Sequence, residues 1–208
     1  MVDSKQSSPG GSIDRATALA AVQAMQAQPP VGADLVEAFT DRLSAQGGTV
    51  ARIASLDEIP GYIRDTLITG DKGAVQVAIG DNPVLTSLPW SEHGDFTIVD
   101  AEAIRYGGIA VSTAELGVAE TGSLVLLSGT ENPTLHNFLP DCQVVVVKEG
   151  DIVSHQEQMW SILRQRPGGL PRAVNLVSGP SSTGDVEVTL VVGAHGPVQV
   201  HALILASS

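Results

Sequence analysis

Residues 49–79 read TVARIASLDEIPGYIRDTLITGDKGAVQVAI, and this stretch decides the fold class. Its two ends, 49–54 and 74–79, are short runs rich in Val, Ile and Ala, as strands are, and residues 56–67 between them are predicted to form a helix with Pro60 in its first turn. A strand, a helix and a second strand in this order form a right-handed crossover, which places the strands parallel in one sheet. The stretch therefore predicts an α/β protein with a mainly parallel sheet.

The composition fits that class and excludes several functions. The chain has 208 residues, 43% of them hydrophobic but only 3% aromatic, so Val, Leu, Ile and Ala must fill the core. A net charge of -12 would repel a phosphate backbone, which argues against nucleic acid as a partner. No apolar run approaches the roughly 18 to 20 residues that cross a bilayer, and the polar N-terminus does not resemble a signal peptide. We therefore expect a cytoplasmic protein that does not bind membranes.

The domain organisation follows from where the apolar periodicity begins. Residues 1–12 contain Ser, Gly and Pro without apolar period and are predicted to be a flexible tail. Residues 13–208 are predicted to form a single α/β domain that opens with the N-terminal helical segment 13–30, capped by Ser12 or Asp14. The other predicted elements are a helix over 31–46, strands over 96–100 and 143–147, a helix over 152–166, and strands over 188–192 and 198–205.

A polar elbow interrupts the long apolar stretch 109–128. It contains Glu115 and Glu120, five residues apart, with Thr121 and Gly122 directly after the second carboxylate. In the functional interpretation the glycine lets the chain approach a ligand, and Glu120 is a proton carrier or a hydrogen-bond acceptor. In the alternative interpretation the elbow is an acidic bend that only ends strands, and residue types alone leave both open.

A second polar group occupies loops between the strand-like runs of residues 178–205. Its members are Ser181, Thr183, Asp185 and His195, a set of side chains that can bind and transfer protons when a scaffold holds them in place. The alternative is that Asp185 only bonds its own loop and that His195 belongs to a plain hairpin turn. Part of any site is expected here, and Glu120 to Gly122 would form the opposite wall of the pocket.

The sequence shows no set of residues at the spacing typical of a metal site or of a cysteine-ligated cluster. Cys142 is the only cysteine, so the chain holds no intramolecular disulfide or cysteine-ligated iron–sulfur cluster, and its position before an apolar run predicts a small buried hydrophobe. His136 and His155 have no partner at a metal-ligand spacing and are predicted to be surface or capping residues. No dinucleotide-binding, P-loop or serine-hydrolase motif occurs. We predict no metal and no cofactor.

Three blocks of sequence together resemble a known family. They are ETGSLVL at 120–126, Leu139-Pro140 before an apolar strand, and SGPSSTGDVE at 178–187 followed by GAHGP at 193–197. In this order and at these intervals they resemble the LUD domain family of bacterial lactate-utilisation protein C, over roughly residues 30 to 205.

The resemblance implies a three-layer α/β/α fold similar to those of sugar-phosphate isomerases and CoA transferases. It also implies an accessory role in lactate utilisation: a non-redox subunit or partner of an iron–sulfur complex that oxidises L-lactate to pyruvate, with the clusters only in the partner proteins. A small anionic ligand would bind at the residues named above, namely Glu120, Thr121, Gly122, Ser181, Thr183, Asp185 and His195.

Two other functions remain open for the same pocket. One is an isomerase-like or CoA-transferase-like enzyme, in which Glu120 acts as base or nucleophile and His195 as acid or base. The other is a ligand sensor that binds without turnover.

Overall fold

The described part of the chain comprises residues 14–17, 28–68, 73–94, 96–104, 108–184, 190–193 and 195–207 of a computed structural model. The chain divides into two compact units, Met1–Pro30 and Val31–Ser208. In the first unit the Asp14 carboxylate accepts hydrogen bonds from the N–H groups of Ala16 at 2.8 Å and Thr17 at 3.0 Å, which confirms Asp14 as a helix cap. The tail over 1–12 and most of the predicted first helix lie outside the described residues.

The second unit contains helices, strands and single 3-10 turns. The described residues of this unit form four α-helices, α1 (Leu35–Ala45), α2 (Glu58–Tyr62), α3 (Pro83–Thr86) and α4 (Gln156–Arg164). The described strands are β1 (Thr49–Ile53), β2 (Val75–Ala78), β3 (Phe96–Val99), β4 (Ile109–Thr113), β5 (Leu116–Val118), β6 (Ser123–Leu127), β7 (Cys142–Lys148), β8 (Ile152–Val153), β9 (Val174–Val177), β10 (Ser182–Gly184), β11 (Leu190–Val192) and β12 (Gln199–Leu205).

A six-stranded parallel sheet forms the centre of this unit. Its strand order is β1-β12-β7-β4-β2-β3, and every neighbouring pair is parallel. The run of four valines in β7, residues 144–147, lies in the middle of the sheet, where both faces are covered and a continuously apolar strand is stable. The predicted α/β class with a mainly parallel sheet is confirmed.

One face of the parallel sheet packs against α2 and α3. Ile59 and Ile63 from the α2 side and Leu85 of α3 are fully buried against strand residues such as Val77 and Val144. Pro60 lies in the first turn of α2, as predicted, and the helix continues as a π-helical turn over Ile63–Leu67.

The other face packs against α1 and a second sheet. This four-stranded sheet has the order β8-β5-β6-β9. Phe39 and Leu43 of α1 and Leu124 of β6 are fully buried with Val145 and Ile204 of the parallel sheet. The far side of the second sheet is covered by Met159 and Leu163 of α4. The layer on this face of the parallel sheet therefore consists of α1 and the four-stranded sheet.

Two predicted elements differ from the structure. The helix predicted over 152–166 begins only at Gln156, because Ile152 and Val153 form β8 and pair in parallel with Gly117 and Val118. The helix predicted over 31–46 begins at Leu35, because the Asp34 carboxylate caps its first turn by accepting from the Val36 and Glu37 N–H groups. Across the described ranges, no helix combines the length and apolar character needed to cross a membrane.

Candidate functional site

Glu120 occupies the turn between β5 and β6 and caps α4. Its backbone N–H donates to the Ser154 carbonyl at 2.9 Å, and its Oε2 accepts from the Gln156 N–H at 3.1 Å. Gln156 is the first residue of α4, where a carboxylate meets unpaired N–H groups and the positive end of the helix dipole. Glu120 therefore ties the β5–β6 turn to α4, and this bond occupies one of its two oxygens.

We expect replacement of Glu120 by alanine to lower the free energy of unfolding by about 1 kcal/mol, the usual cost of losing a helix cap. Urea denaturation measures the change. Glu120→Gln, which keeps an acceptor oxygen, should recover part of the loss, and Glu102→Ala, which removes an exposed carboxylate, is the matched control. Equal stability of the Glu120 and Glu102 alanine variants would contradict the capping role.

Thr121 and Gly122 lie against the C-terminal end of α1. The Thr121 carbonyl accepts from Gln46 Nε2 at 2.8 Å, and the same nitrogen donates to the Arg42 carbonyl at 3.0 Å. Gly122 has φ 63°, and a Cβ at this position would meet the Leu43 backbone nitrogen and lie 2.8 Å from the Arg42 carbonyl carbon. The glycine thus permits close packing of the β5–β6 turn on the helix backbone.

A chain of three hydroxyl groups connects this turn to the block at 178–181. Thr121 Oγ1 lies 2.7 Å from Ser123 Oγ, which lies 2.6 Å from Ser178 Oγ, and Ser123 is buried. Next along the chain, a Cβ on Gly179 would be 2.7 Å from the Gln46 carbonyl oxygen. The first and third family blocks therefore meet, and both pack on the end of α1.

Ser181 lies beside the turn that contains His195. Its N–H donates to the Pro197 carbonyl at 2.9 Å, and its carbonyl accepts from the Gly193 N–H at 2.8 Å. The His195 side chain is exposed. Thr183 lies in β10, paired with β11, and Asp185 is outside the described residues. The structure joins Ser181 to the 193–197 turn through the backbone, and ligand binding or catalysis by these side chains stays a prediction.

His136 is buried, so the prediction that it lies at the surface or at a helix cap was wrong. Its side chain is fully buried, with Nδ1 3.1 Å from Ser112 Oγ. Burial lowers the pKa of His136 to about 4. Nearby in the chain, Gln143 Nε2 donates to Asn137 Oδ1 at 2.7 Å. The segment Thr134–Asn137 is a 3-10 turn that turns the imidazole inward, which no spacing in the sequence indicates.

Cys142 is a buried thiol, as predicted. It packs in the apolar cluster on the α2 side, and burial, with a contribution from Asp141, raises the pKa of the thiol to about 12. A second buried imidazole lies on this face: His201 Nδ1 is 3.0 Å from the Tyr62 hydroxyl, and burial lowers the pKa of His201. The Cys142 thiol and the His201 imidazole are therefore both uncharged at neutral pH.

Two clefts of about 350 Å³ each open at opposite edges of the parallel sheet. One lies at the amino edge and includes Cys142 and Gln199, the first residues of β7 and β12. The other lies at the carboxyl edge and includes Thr113, Asn132 and Arg166. Neither cleft is lined by Glu120, Ser181 or His195. Within the described ranges, no cluster of three or more His, Cys, Asp or Glu side chains is placed to hold a metal ion.

The parallel sheet with a second, four-stranded sheet on one face defines an α/β domain, and its fold is similar to that of a solved structure. The crystal structure of a DUF162 family protein from Deinococcus radiodurans superposes with a TM-score of 0.56 at 18% identity, covering 85% of this chain and 99% of that one. The family model of the LUD domain matches residues 36–205. The chain belongs to the LUD domain family, which confirms the resemblance carried by the three sequence blocks.

The chain is similar to proteins named lactate utilization protein C and to an uncharacterized protein of Escherichia coli. Lactate utilization protein C of Bacillus subtilis (strain 168) is 33% identical over 120 residues, which are 56% of this chain and 48% of that protein. The protein of the same name from Anoxybacillus flavithermus is 32% identical over 104 residues, 50% of this chain and 46% of that one. Escherichia coli YkgG is 30% identical over 148 residues, 68% and 63% of the two chains. The chain matches about half to two-thirds of the length of these relatives.

Proposed function

We propose that this chain is a cytoplasmic accessory protein of lactate utilisation, a non-redox partner of iron–sulfur proteins that oxidise L-lactate to pyruvate. The observation that carries the proposal is the LUD domain match over residues 36–205, together with relatives that are named lactate utilization protein C. The matched segment includes the whole parallel sheet and the packed blocks around the end of α1.

The chemistry of Cys142 supports a complex in which the partner proteins, and not this chain, hold the iron–sulfur clusters. An iron–sulfur cluster needs several thiolate ligands, and this chain has a single cysteine whose thiol is buried and has a raised pKa. Any iron–sulfur cluster of the proposed complex would therefore be held by the partner proteins. The present chain would contribute binding and assembly.

An exposed apolar segment offers a surface for such a partner. Leu135, Phe138 and Leu139 are 38%, 52% and 37% exposed, although they lie within five residues of each other directly before β7. Aromatic residues are enriched in the cores of protein interfaces, so a half-exposed phenylalanine flanked by exposed leucines is a candidate contact for a partner protein. We define Leu135, Phe138 and Leu139 as the apolar segment.

Affinity purification of the tagged chain from its host grown on L-lactate tests the proposal. We expect co-purification of proteins that contain iron–sulfur clusters, detected by absorbance and iron analysis. Phe138→Glu should reduce their recovery at least tenfold, because it places a charge in the apolar segment. Leu170→Glu, which changes another apolar side chain with 50% exposure, should not.

The result that would overturn the proposal is equally direct. If the tagged chain is recovered alone and deletion of its gene leaves growth on L-lactate unchanged, an accessory role in lactate oxidation is wrong. Equal loss of partners with the Phe138 and Leu170 variants would remove the apolar segment from the interface and leave the role intact.

A further inference from the structure

The chain leaves the neighbouring strands β2 and β4 toward opposite faces of the parallel sheet. After β2 it enters α3, whose Leu85 is buried in the cluster on the α2 side. After β4 it passes through Ala114 into the second sheet, and Ala114 packs in the cluster on the α1 side. Parallel neighbours with this divergence open a crevice beyond their carboxyl ends, and α/β proteins commonly bind ligands there.

A loop over residues 129–133 crosses this crevice and is fixed to both strands. On the β2 side, the Asp81 N–H donates to the Thr130 carbonyl at 2.9 Å. On the β4 side, the Asn132 side chain accepts from the Thr113 N–H at 3.1 Å and donates to the Thr113 carbonyl at 2.9 Å. Gly80 has φ 68°, and a Cβ there would lie 2.8 Å from the Thr130 oxygen. The loop is therefore held by a backbone hydrogen bond on the β2 side and by the Asn132 side chain on the β4 side.

Residues 129–132 of this loop form one side of the cleft of about 350 Å³ at the carboxyl edge, together with residues at the ends of β4 and β6 and Arg166, and the lining is more polar than apolar. Its lining includes Thr113, Glu115, Ser128, Glu131, Asn132 and Arg166. Arg166 is the positive charge among these side chains, and its Nε lies 3.0 Å from Glu115 Oε1. Both side chains of this pair are about one-third exposed, at 35% and 36%. An ion pair with this exposure can open at small cost, so a ligand can replace either partner.

We infer that this cleft binds a small hydroxylated monocarboxylate. The ligand carboxylate would take the place of the Glu115 carboxylate on the Arg166 guanidinium. A guanidinium is planar and can donate two parallel hydrogen bonds to one carboxylate. The ligand hydroxyl would donate to the Glu131 carboxylate or accept from the Ser128 hydroxyl, whose oxygen already accepts from the Ala173 N–H. Two carboxylates against one guanidinium leave the lining negative, and the repulsion grows with the charge of the ligand, so a monocarboxylate is favoured over phosphate and other multiply charged anions. The choice of L-lactate within this class rests on the proposed function.

Titration of the purified chain followed by amide NMR shifts tests the inference. The probes are L-lactate, glycerate, acetate and inorganic phosphate. We expect L-lactate or glycerate to shift the amides of residues 113–115 and 128–132, with acetate weaker and phosphate without effect. Arg166→Gln should weaken binding at least tenfold. Glu115→Gln should strengthen it several-fold, because it removes the internal competitor. Arg172→Gln, at an exposed arginine, is the matched control.

Several outcomes would overturn the inference. They are shifts that fall outside the cleft, or Arg166→Gln and Glu115→Gln variants that both bind like the parent chain. If Arg166→Gln fails to fold, Arg166→Lys replaces it, because lysine keeps the positive charge without the planar guanidinium, and this variant should bind with intermediate affinity. Binding like that of the parent chain by both Arg166→Lys and Glu115→Gln would then contradict the site. Binding of glycerate but not L-lactate supports the cleft and counts against lactate as its ligand. Recovery of iron–sulfur partners by a chain that binds none of the probes supports the proposed function and rejects the cleft.

Discussion

Replacement of Gly122 by alanine is expected to lower the free energy of unfolding by about 2 to 4 kcal/mol. About 1 kcal/mol comes from forcing a residue with a Cβ to φ 63°, which only glycine adopts at no cost. The remainder comes from overlap with the backbone of Leu43 and Arg42, which the packed helix cannot relieve by a rotamer change. Urea denaturation at neutral pH measures the loss.

Gly168 supplies the matched control for the backbone contribution. Its φ is 85°, and a Cβ built there has no atom within 4 Å, so Gly168→Ala carries the conformational cost without the overlap. We expect a loss of about 1 kcal/mol at this position. Equal losses at the two glycines would show that close packing on α1 does not require Gly122.

Acid is expected to destabilise the second unit by about 3 kcal/mol between neutral pH and pH 4 through His136. In the folded state burial lowers the pKa of His136 from 6.5 to about 4. The unfolded chain binds a proton on His136 more readily than the folded chain does. The contribution of the neutral imidazole to the free energy of unfolding is therefore fully present above pH 6.5 and is lost as the pH falls toward 4. His201, whose pKa is also lowered by burial, changes stability in the same direction.

Urea denaturation midpoints measured from pH 7.5 to pH 4 check this prediction. The double variant Ser112→Ala/His136→Leu removes the titrating group without leaving the Ser112 hydroxyl unpaired, so its stability should depend less on pH. His195→Gln, which removes an exposed imidazole, is the control. A pH profile of the double variant as steep as that of the parent chain would assign the acid sensitivity to other groups.

The parallel sheet could be predicted because each of its strands is marked by a short pattern of neighbouring residues. Strands such as 49–53 and 142–148 are short apolar runs, and the crossover between β1 and β2 is visible within one continuous stretch. The start of α4 could not be predicted, because Ile152 and Val153 become a strand only through pairing with residues 117–118. An apolar dipeptide before a helix gives the same local pattern in either state.

The candidate site was predicted as two walls of one pocket, with residues 120–122 on one side and Ser181, Thr183, Asp185 and His195 on the other. The structure links the two blocks from Thr121 through Ser123 to Ser178, and neither cleft is lined by Glu120, Ser181 or His195. Gly122 and Gly179, however, provide clearance for the backbone of α1. A glycine that lets a ligand approach and one that lets a helix approach leave the same trace in a sequence.

Arg166 and Asn132 illustrate what sequence reasoning missed. They come from the end of α4 and from a loop after β6, and they share a cleft only because the chain crosses between two sheets at residues 114–115. A lone arginine after a helix and an asparagine in a polar loop are ordinary in any sequence. At the end of β2, the Asp81 N–H donates to the carbonyl of Thr130, one of the residues that line this cleft.

The position of β12 between β1 and β7 affects how the domain can be made in the cell. β1 is synthesised early and finds its pairing partner only when residues 199–205 emerge, almost 150 residues later. Until then β7 presents an open apolar edge, and strand edges of this kind recruit other chains. Such long-range closure makes folding slow. Nascent or truncated chains that lack β12 should therefore be targets for chaperones and prone to aggregation, even though every other strand of the sheet is already present.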